Sequence, residues 1–204
     1  MSVRERRKRD RASREQLIVT AARELAEAEG WDAVTTRRLS ERVEYSQPVL
    51  YSHFAGKAGI VRAVALEGFA ELAAELRHAR TAAPSADAAL PAVAAAYLRF
   101  AESRPAVYDA MFVMPADIPF AVPDSPPAAR AGFAELLAAL APLAGNRDLE
   151  TLGEVAWSTL HGLAALARGN RLRPSHQQAR LDLLAGLLAG QLAGRRAQPQ
   201  PDRP

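Results

Sequence analysis

Apolar residues recur along this chain at intervals of three and four in segment after segment, which predicts helices throughout. Leu17, Ile18, Ala21, Ala22 and Leu25 form such a stripe over residues 13–29. Gly30 closes that helix, with Trp31 placed to fold back on its last turn. Two short helices follow over 36–43 and 47–54. Ile60, Val61, Val64, Phe69, Leu72 and Leu76 then carry one long helix over 57–80. At about 1.5 Å per residue it extends for roughly 36 Å, enough for a rod between a head and a body. Further helices are predicted over 87–103 and from Arg104-Pro105 to Phe112. The proline-rich stretch VMPADIPFAVPDSPP lacks periodicity and reads as a loop. Beyond it lie helices over 127–143, 149–168 and 175–193, about nine in all.

The two short helices are the best-specified part of the chain. Thr35 is an N-cap with Val34 before it to staple onto Leu39, and Ser46 is a second N-cap with Tyr45 to staple onto Leu50. Pro48 falls in the first turn, where a missing N–H costs nothing. Two capped helices joined by three residues make a helix-turn-helix. On the second of them Leu50 and Phe54 point inward and leave Gln47, Pro48, Val49, Tyr51 and His53 outside, with no acid among them. Glutamine reads base edges, Val49 suits a thymine methyl and Tyr51 can donate to a phosphate. Lys57 opens the next helix, where a cation opposes the helix dipole unless a phosphate lies between the two.

The run TTRRLSERVEYSQPVLYSHFAGK resembles the DNA-binding signature of the tetracycline-repressor (TetR) family of bacterial regulators, most closely in Gln47-Pro48-x-Leu50-Tyr51-x-His53 with Lys57 four residues on. The resemblance implies base contacts by Arg37, Gln47 and Val49, with Pro48 in close apolar contact. It also implies that Thr36, Tyr51, His53 and Lys57 hold phosphates or the adjoining backbone. The turn position usually filled by glycine is Glu44 here, so either Glu44 takes a positive φ at some cost or the turn differs. Ala58 and Gly59 replace the acids usual after Lys57. Further on, WSTLHGLAAL resembles the Trp-x-x-x-His-Gly stretch of a C-terminal domain found in one TetR subgroup.

The net charge is only +3, but Arg4, Arg6, Arg7, Lys8, Arg9, Arg11 and Arg14 crowd the N-terminus against Glu5 and Asp10. Such a run suits DNA phosphates or a minor groove reached by a flexible arm, and equally a solvated, disordered tail. With no cysteine the chain has no disulfide, thiolate metal site or cysteine nucleophile, which fits a cytoplasmic protein. No apolar run reaches the length of a membrane span, and the start does not read as a secretory signal. His53, His78, His161 and His176 are scattered without ligand spacing, and no catalytic motif occurs. The expectation is no enzyme, no metal and no cofactor.

The expected fold is therefore all-α. An N-terminal arm and three-helix helix-turn-helix unit, 1–56, is joined by the long helix to a helical effector-binding and dimerisation domain, 57–194, with a disordered tail at 195–204. In that body Tyr97, Phe100, Tyr108, Met111, Phe112, Phe133, Trp157 and His161 concentrate the aromatic and soft apolar groups, as a ligand site or simply as core. The helix over 149–168 carries Leu152, Val155, Ala156, Leu160, Leu163 and Leu166 on one arc. The last helix has a leucine face, Leu181, Leu184, Leu187, Leu188 and Leu192, and a small-residue face. Two such faces suggest packing on both sides, one against a symmetric partner. The function expected is a DNA-binding transcriptional regulator: a ligand-responsive repressor that binds a palindromic operator as a homodimer through its last two helices. Its effector would be a small apolar or aromatic molecule. The same fold acting without a small molecule, or a ligand-binding protein with a vestigial head, are the alternatives.

Overall fold

The computed structural model describes residues 2–120, 122 and 124–190. Among these, nine α-helices and two 3-10 turns occur, and no strand: α1 Val3–Glu29, α2 Thr36–Val43, α3 Gln47–His53, α4 Gly56–Thr81, α5 Ala86–Ser103, α6 Pro105–Phe112, α7 Pro127–Ala144, α8 Leu149–Arg168 and α9 Gln177–Leu188. The chain forms two compact units. Among the described residues, one holds 2–72 and those within 103–131; the other holds 73–102 and 132–190. Helix α6 packs against α1 within the first unit.

In the first unit the expected flexible arm is helical instead. Ser2 accepts from the Glu5 amide while the Glu5 carboxylate accepts from the Ser2 amide at 2.8 Å, a complete capping box. Arginine and lysine favour helix, and no glycine or proline interrupts them before Gly30. Gly30 ends α1 at φ 83°, a backbone state that favours glycine. Trp31 lies buried just after, and its indole N–H donates to the Ala106 carbonyl at 2.8 Å. Glu27 accepts from the Ala106 and Val107 amides at the start of α6, both at 3.1 Å. Glu71 pairs with Arg23 through both carboxylate oxygens and lies 3.7 Å from Arg104. Gly68 lets α6 approach α4, since a Cβ there would meet Val107 Cγ1 at 2.5 Å. Phe112 and Phe120 both meet Phe69 edge-on with centroids 5.3 Å apart. Arg62 holds the following loop by donating to the carbonyls of Ala116 and Asp117.

In the second unit Leu90, Val93, Tyr97 and Phe100 of α5, Leu136 and Leu140 of α7, and Leu152, Ala156 and Leu160 of α8 are buried. Gly153 admits α7, because a Cβ there would meet Leu137 Cδ2 at 2.4 Å. Two expected faces narrow. Only part of the α8 arc turns inward, and Val155 and Leu166 are exposed. On α9 Leu181, Leu184 and Leu188 are buried at spacings of three and four, while Leu187 and Leu183 stand exposed. The last helix also ends early, at Leu188, followed by Gly190 at φ 75°. The expected positions Leu192 and Ala193 and the tail at 195–204 lie outside the described residues.

Candidate nucleic-acid interface

Local chemistry builds α2 and α3 and sets the turn between them. Thr35 takes extended angles and its hydroxyl accepts from the Arg38 amide at 3.2 Å. Val34 and Leu39 are both buried, as the staple requires. Glu44 ends α2 in the left-handed region at φ 56° and ψ 34°, the first of the two options its sequence left open. Its amide donates to the Ser40 carbonyl, and Tyr45 donates to the same oxygen at 3.1 Å. A side chain in that region costs about 1 kcal/mol relative to glycine. Glu44→Gly should therefore raise the unit's urea midpoint by up to about 1 kcal/mol equivalent, less the entropy glycine adds to the unfolded chain. No gain, or a loss, would show that the turn is not strained.

Ser46 differs from expectation. It occupies the N-cap position with extended angles, but its side chain makes no capping bond, because the Val49 amide goes to the Ser46 backbone carbonyl at 3.0 Å. Helix α3 ends at His53, with Phe54 already extended at φ −133°. Leu50 is buried, and Gln47, Pro48 and Tyr51 are exposed on the opposite face, with Val49 half-buried beside them. Tyr51 is 56% exposed, so its ring and hydroxyl are open to a partner. Thr36 is half-buried and Arg37 is exposed, with its guanidinium 3.0 Å from Glu41 one turn away.

Two of the expected phosphate contacts look inward. The His53 side chain is only 6% exposed, and its Nδ1 lies 3.3 Å from a Glu15 carboxylate oxygen on α1. Glu15 also accepts from Arg11 at 2.8 Å. Burial pushes the Glu15 carboxyl up, but the bonds from His53 and Arg11 outweigh it and hold the group below its ordinary value. Arg11 in turn donates to the Ser52 carbonyl at 3.3 Å. His53 thus fastens α3 to α1 rather than facing solvent. Lys57 is half-buried and its ammonium donates to the Trp31 carbonyl, which leaves two of its three N–H groups for another acceptor. The pairings of Arg11 with Ser52, Glu15 with His53 and Trp31 with Lys57 have no local signature, since the partners lie 41, 38 and 26 residues apart.

The eight expected ligand contacts fall into two sets. Tyr108, Met111 and Phe112 belong to the first unit, where the tilted rings of Tyr108 and Phe112 meet with centroids 4.8 Å apart. Tyr97, Phe100, Phe133, Trp157 and His161 belong to the second. There Phe133 meets Trp157 edge-on at 6.5 Å, and Trp157 meets His161 at 6.4 Å, in one row across α7 and α8. Burial, and then the nearby positive charge of Arg168, lower the His161 pKa, so its ring is neutral near pH 7 and can both donate and accept. A cavity of about 220 Å³ in the same unit is lined by Asp87, Leu90, Leu143, Asp182, Ala185, Gly186 and Ala189, and none of the eight lies on its wall. Among the described residues no group of three or more His, Asp or Glu could hold a metal ion, and no single helix is long and apolar enough to cross a membrane.

Known proteins share these features. Residues 18–64 match the family model for bacterial regulatory proteins of the tetR family, and residues 90–190 match the tetracyclin repressor-like C-terminal domain. Over 96 residues the chain is 32% identical to the uncharacterized HTH-type transcriptional regulator YobS of Bacillus subtilis, covering 47% of this chain and 50% of that protein. Over 64 residues it is 36% identical to the class G tetracycline repressor protein of Vibrio anguillarum, covering 31% of this chain and 28% of that protein. The chain thus spans half or less of these relatives. A solved structure from Rhodococcus sp. RHA1, of unknown function, shares the fold with a TM-score of 0.71 and 23% identity, over 87% of this chain and 93% of that one. A helix-turn-helix with an outward Gln-Pro-Val-x-Tyr face, inside one matched model and followed by the second, places this chain in the tetR family of transcriptional regulators.

Proposed function

We propose that this regulator is a ligand-responsive repressor that acts in the cytoplasm as a homodimer on a palindromic operator. The carrying observation is the outer face of α3, where Gln47, Pro48 and Tyr51 are exposed on a helix fastened from behind by Leu50 and His53. In this reading Gln47, Val49 and Arg37 face bases, Pro48 lies against them, and Thr36, Tyr51 and Lys57 hold phosphates. His53 acts as a positioning residue, because its ring is turned to Glu15. The functional division is then a reading head, 1–56, and a body, 57–194, for effector and partner.

Uncovered apolar side chains support dimerisation through the last two helices. Val155 and Leu166 on α8 and Leu183 and Leu187 on α9 are 41–56% exposed. Gly162 and Gly186 have open space where a side chain would stand. Exposed leucines beside small residues suit a second copy of the same pair. Effector contact with a small apolar or aromatic molecule is proposed for Tyr97, Phe100, Phe133, Trp157 and His161, all in the second unit. Tyr108, Met111 and Phe112 belong to the first unit, so no effector contact is assigned to these three. An effector that favours one spacing of the two heads over another would shift operator affinity.

The test is binding to the DNA immediately upstream of its own gene, against random duplex, across a salt series. Tight, sequence-preferring binding that loosens steeply with salt supports the reading. Gln47→Ala is expected to relax preference at one base position by about 1–3 kcal/mol, whereas Tyr51→Phe should weaken binding to all sequences alike. Equal losses on both DNAs for both variants would remove Gln47 from base reading.

A further inference from the structure

The helical form of residues 3–14 changes what their charges can do. At about 100° per residue, Arg4, Lys8, Arg11, Glu15, Ile18, Ala22 and Leu25 fall on one line of α1, at spacings of three and four. The last three are the buried face that packs into the head. Glu15 and Arg11, next along the line, bond to His53 and Ser52 of α3. Arg4 and Lys8 are exposed and continue the same line toward the start of α1, with Arg7 within one step of it. Arg6 and Arg9 fall on the opposite side. The N-terminal charge run is therefore two separate faces, and only one of them lies on the line of α1 that bonds to the reading helix.

We infer that Arg4, Lys8 and Arg7, carried on the first turns of α1, form a rigid phosphate-binding rail for the DNA backbone flanking the bases that α3 reads. Arg4 to Arg11 covers about 10 Å along the helix axis, the rise of roughly three base pairs. Charge complementarity names the occupant: a basic line with no carboxylate between Arg4 and Arg11 on its own face, ending at the Arg11 that bonds to the DNA-reading helix, suits a phosphodiester backbone. Holding the cations on a helix, rather than on a loose arm, removes the backbone part of the ordering cost of each contact. The inference rests on the proposed reading of α3 and extends it to a second contact surface.

The test compares two double variants of equal net charge in the full-length chain, Arg4→Gln with Lys8→Gln and Arg6→Gln with Arg9→Gln. Binding is measured over a salt series on the DNA upstream of the gene and on random duplex. The first pair should make the log–log salt slope shallower by about 2 for each protomer bound, on both DNAs, since each lost phosphate contact removes about 0.9. The second pair should change it far less. Trimming the duplex to the bases α3 covers should reduce the wild-type slope and leave that of the first pair nearly unchanged. Ala12→Pro keeps every charge but breaks α1 behind Arg11, and should reduce the slope as the first pair does. Equal effects of the two pairs, or a full slope for Ala12→Pro, would overturn the rail in favour of diffuse charge or a flexible arm. The wild type separates the two claims. If it prefers the upstream DNA and the first pair changes nothing, the rail alone fails. If it has no preference, the reading of α3 fails with it.

Discussion

Trp31→Ala is expected to cost about 3–5 kcal/mol of stability, read as a large fall in urea midpoint and a loss of DNA binding of every kind at 25 °C. The side chain is 8% exposed, at the point where α1 ends and the path to α2 begins. Its indole N–H is bonded to the Ala106 carbonyl, and its own carbonyl accepts both from the Val34 amide at 3.2 Å and from Lys57. One residue therefore joins the end of α1, the start of α4 and the start of α6. Alanine removes the packing and the indole bond while the backbone contacts survive. Trp31→Phe separates the two losses. It keeps most of the apolar volume and leaves the Ala106 carbonyl short of its donor, for about 1–3 kcal/mol. If alanine costs no more than phenylalanine, the ring is not what holds α6 to the head.

Glu135→Ala comes next, at about 2–3 kcal/mol, with an effect that depends on pH. Glu135 is 7% exposed on α7 and accepts from Arg77 at 2.7 Å and Arg80 at 2.9 Å, both near the end of α4. Removing the carboxylate leaves two guanidinium groups facing each other. The Arg80 side chain is 29% exposed and feels this most, whereas Arg77 at 63% is largely solvated, so the cost falls below that of breaking a fully buried pair. Burial works to raise the Glu135 carboxyl, and the two arginine hydrogen bonds outweigh it, leaving the group below its ordinary value of 4.5. A carboxylate depressed on folding stabilises above its unfolded pKa and ceases to as pH falls through the folded one. The difference in midpoint between wild type and Glu135→Gln should thus be full at pH 7 and shrink below about pH 4.5. A difference that does not vary with pH would mean that only packing is lost.

Much of this protein was written locally. Thr35, Val34, Leu39 and Pro48 are capping and staple signals within a few residues of one another, so α2 and α3 appear where the pattern puts them. Helix α8 begins at Leu149 and ends at Arg168 as expected, because Asp148 caps it through the Thr151 amide at 2.8 Å. The long α4 and short α6 were equally legible in their apolar spacing. The charge run at the start was not, because composition alone does not distinguish a solvated tail from a capped helix. Ser2 and Glu5 settle that through their capping box.

What tertiary structure alone decided is which member of each face meets a partner. Sequence places His53 on the outer side of α3, and only the approach of α1 gives it Glu15 and turns it inward. Sequence places Leu187 with Leu184 on α9, and only the packing leaves it in solvent. The bonds of Glu27 and Trp31 to α6, and of Glu135 to α4, join residues 55–80 positions apart. Propensity and periodicity act over one or two turns. Side-chain pairing across helices depends on how those helices meet, and no local pattern encodes that meeting.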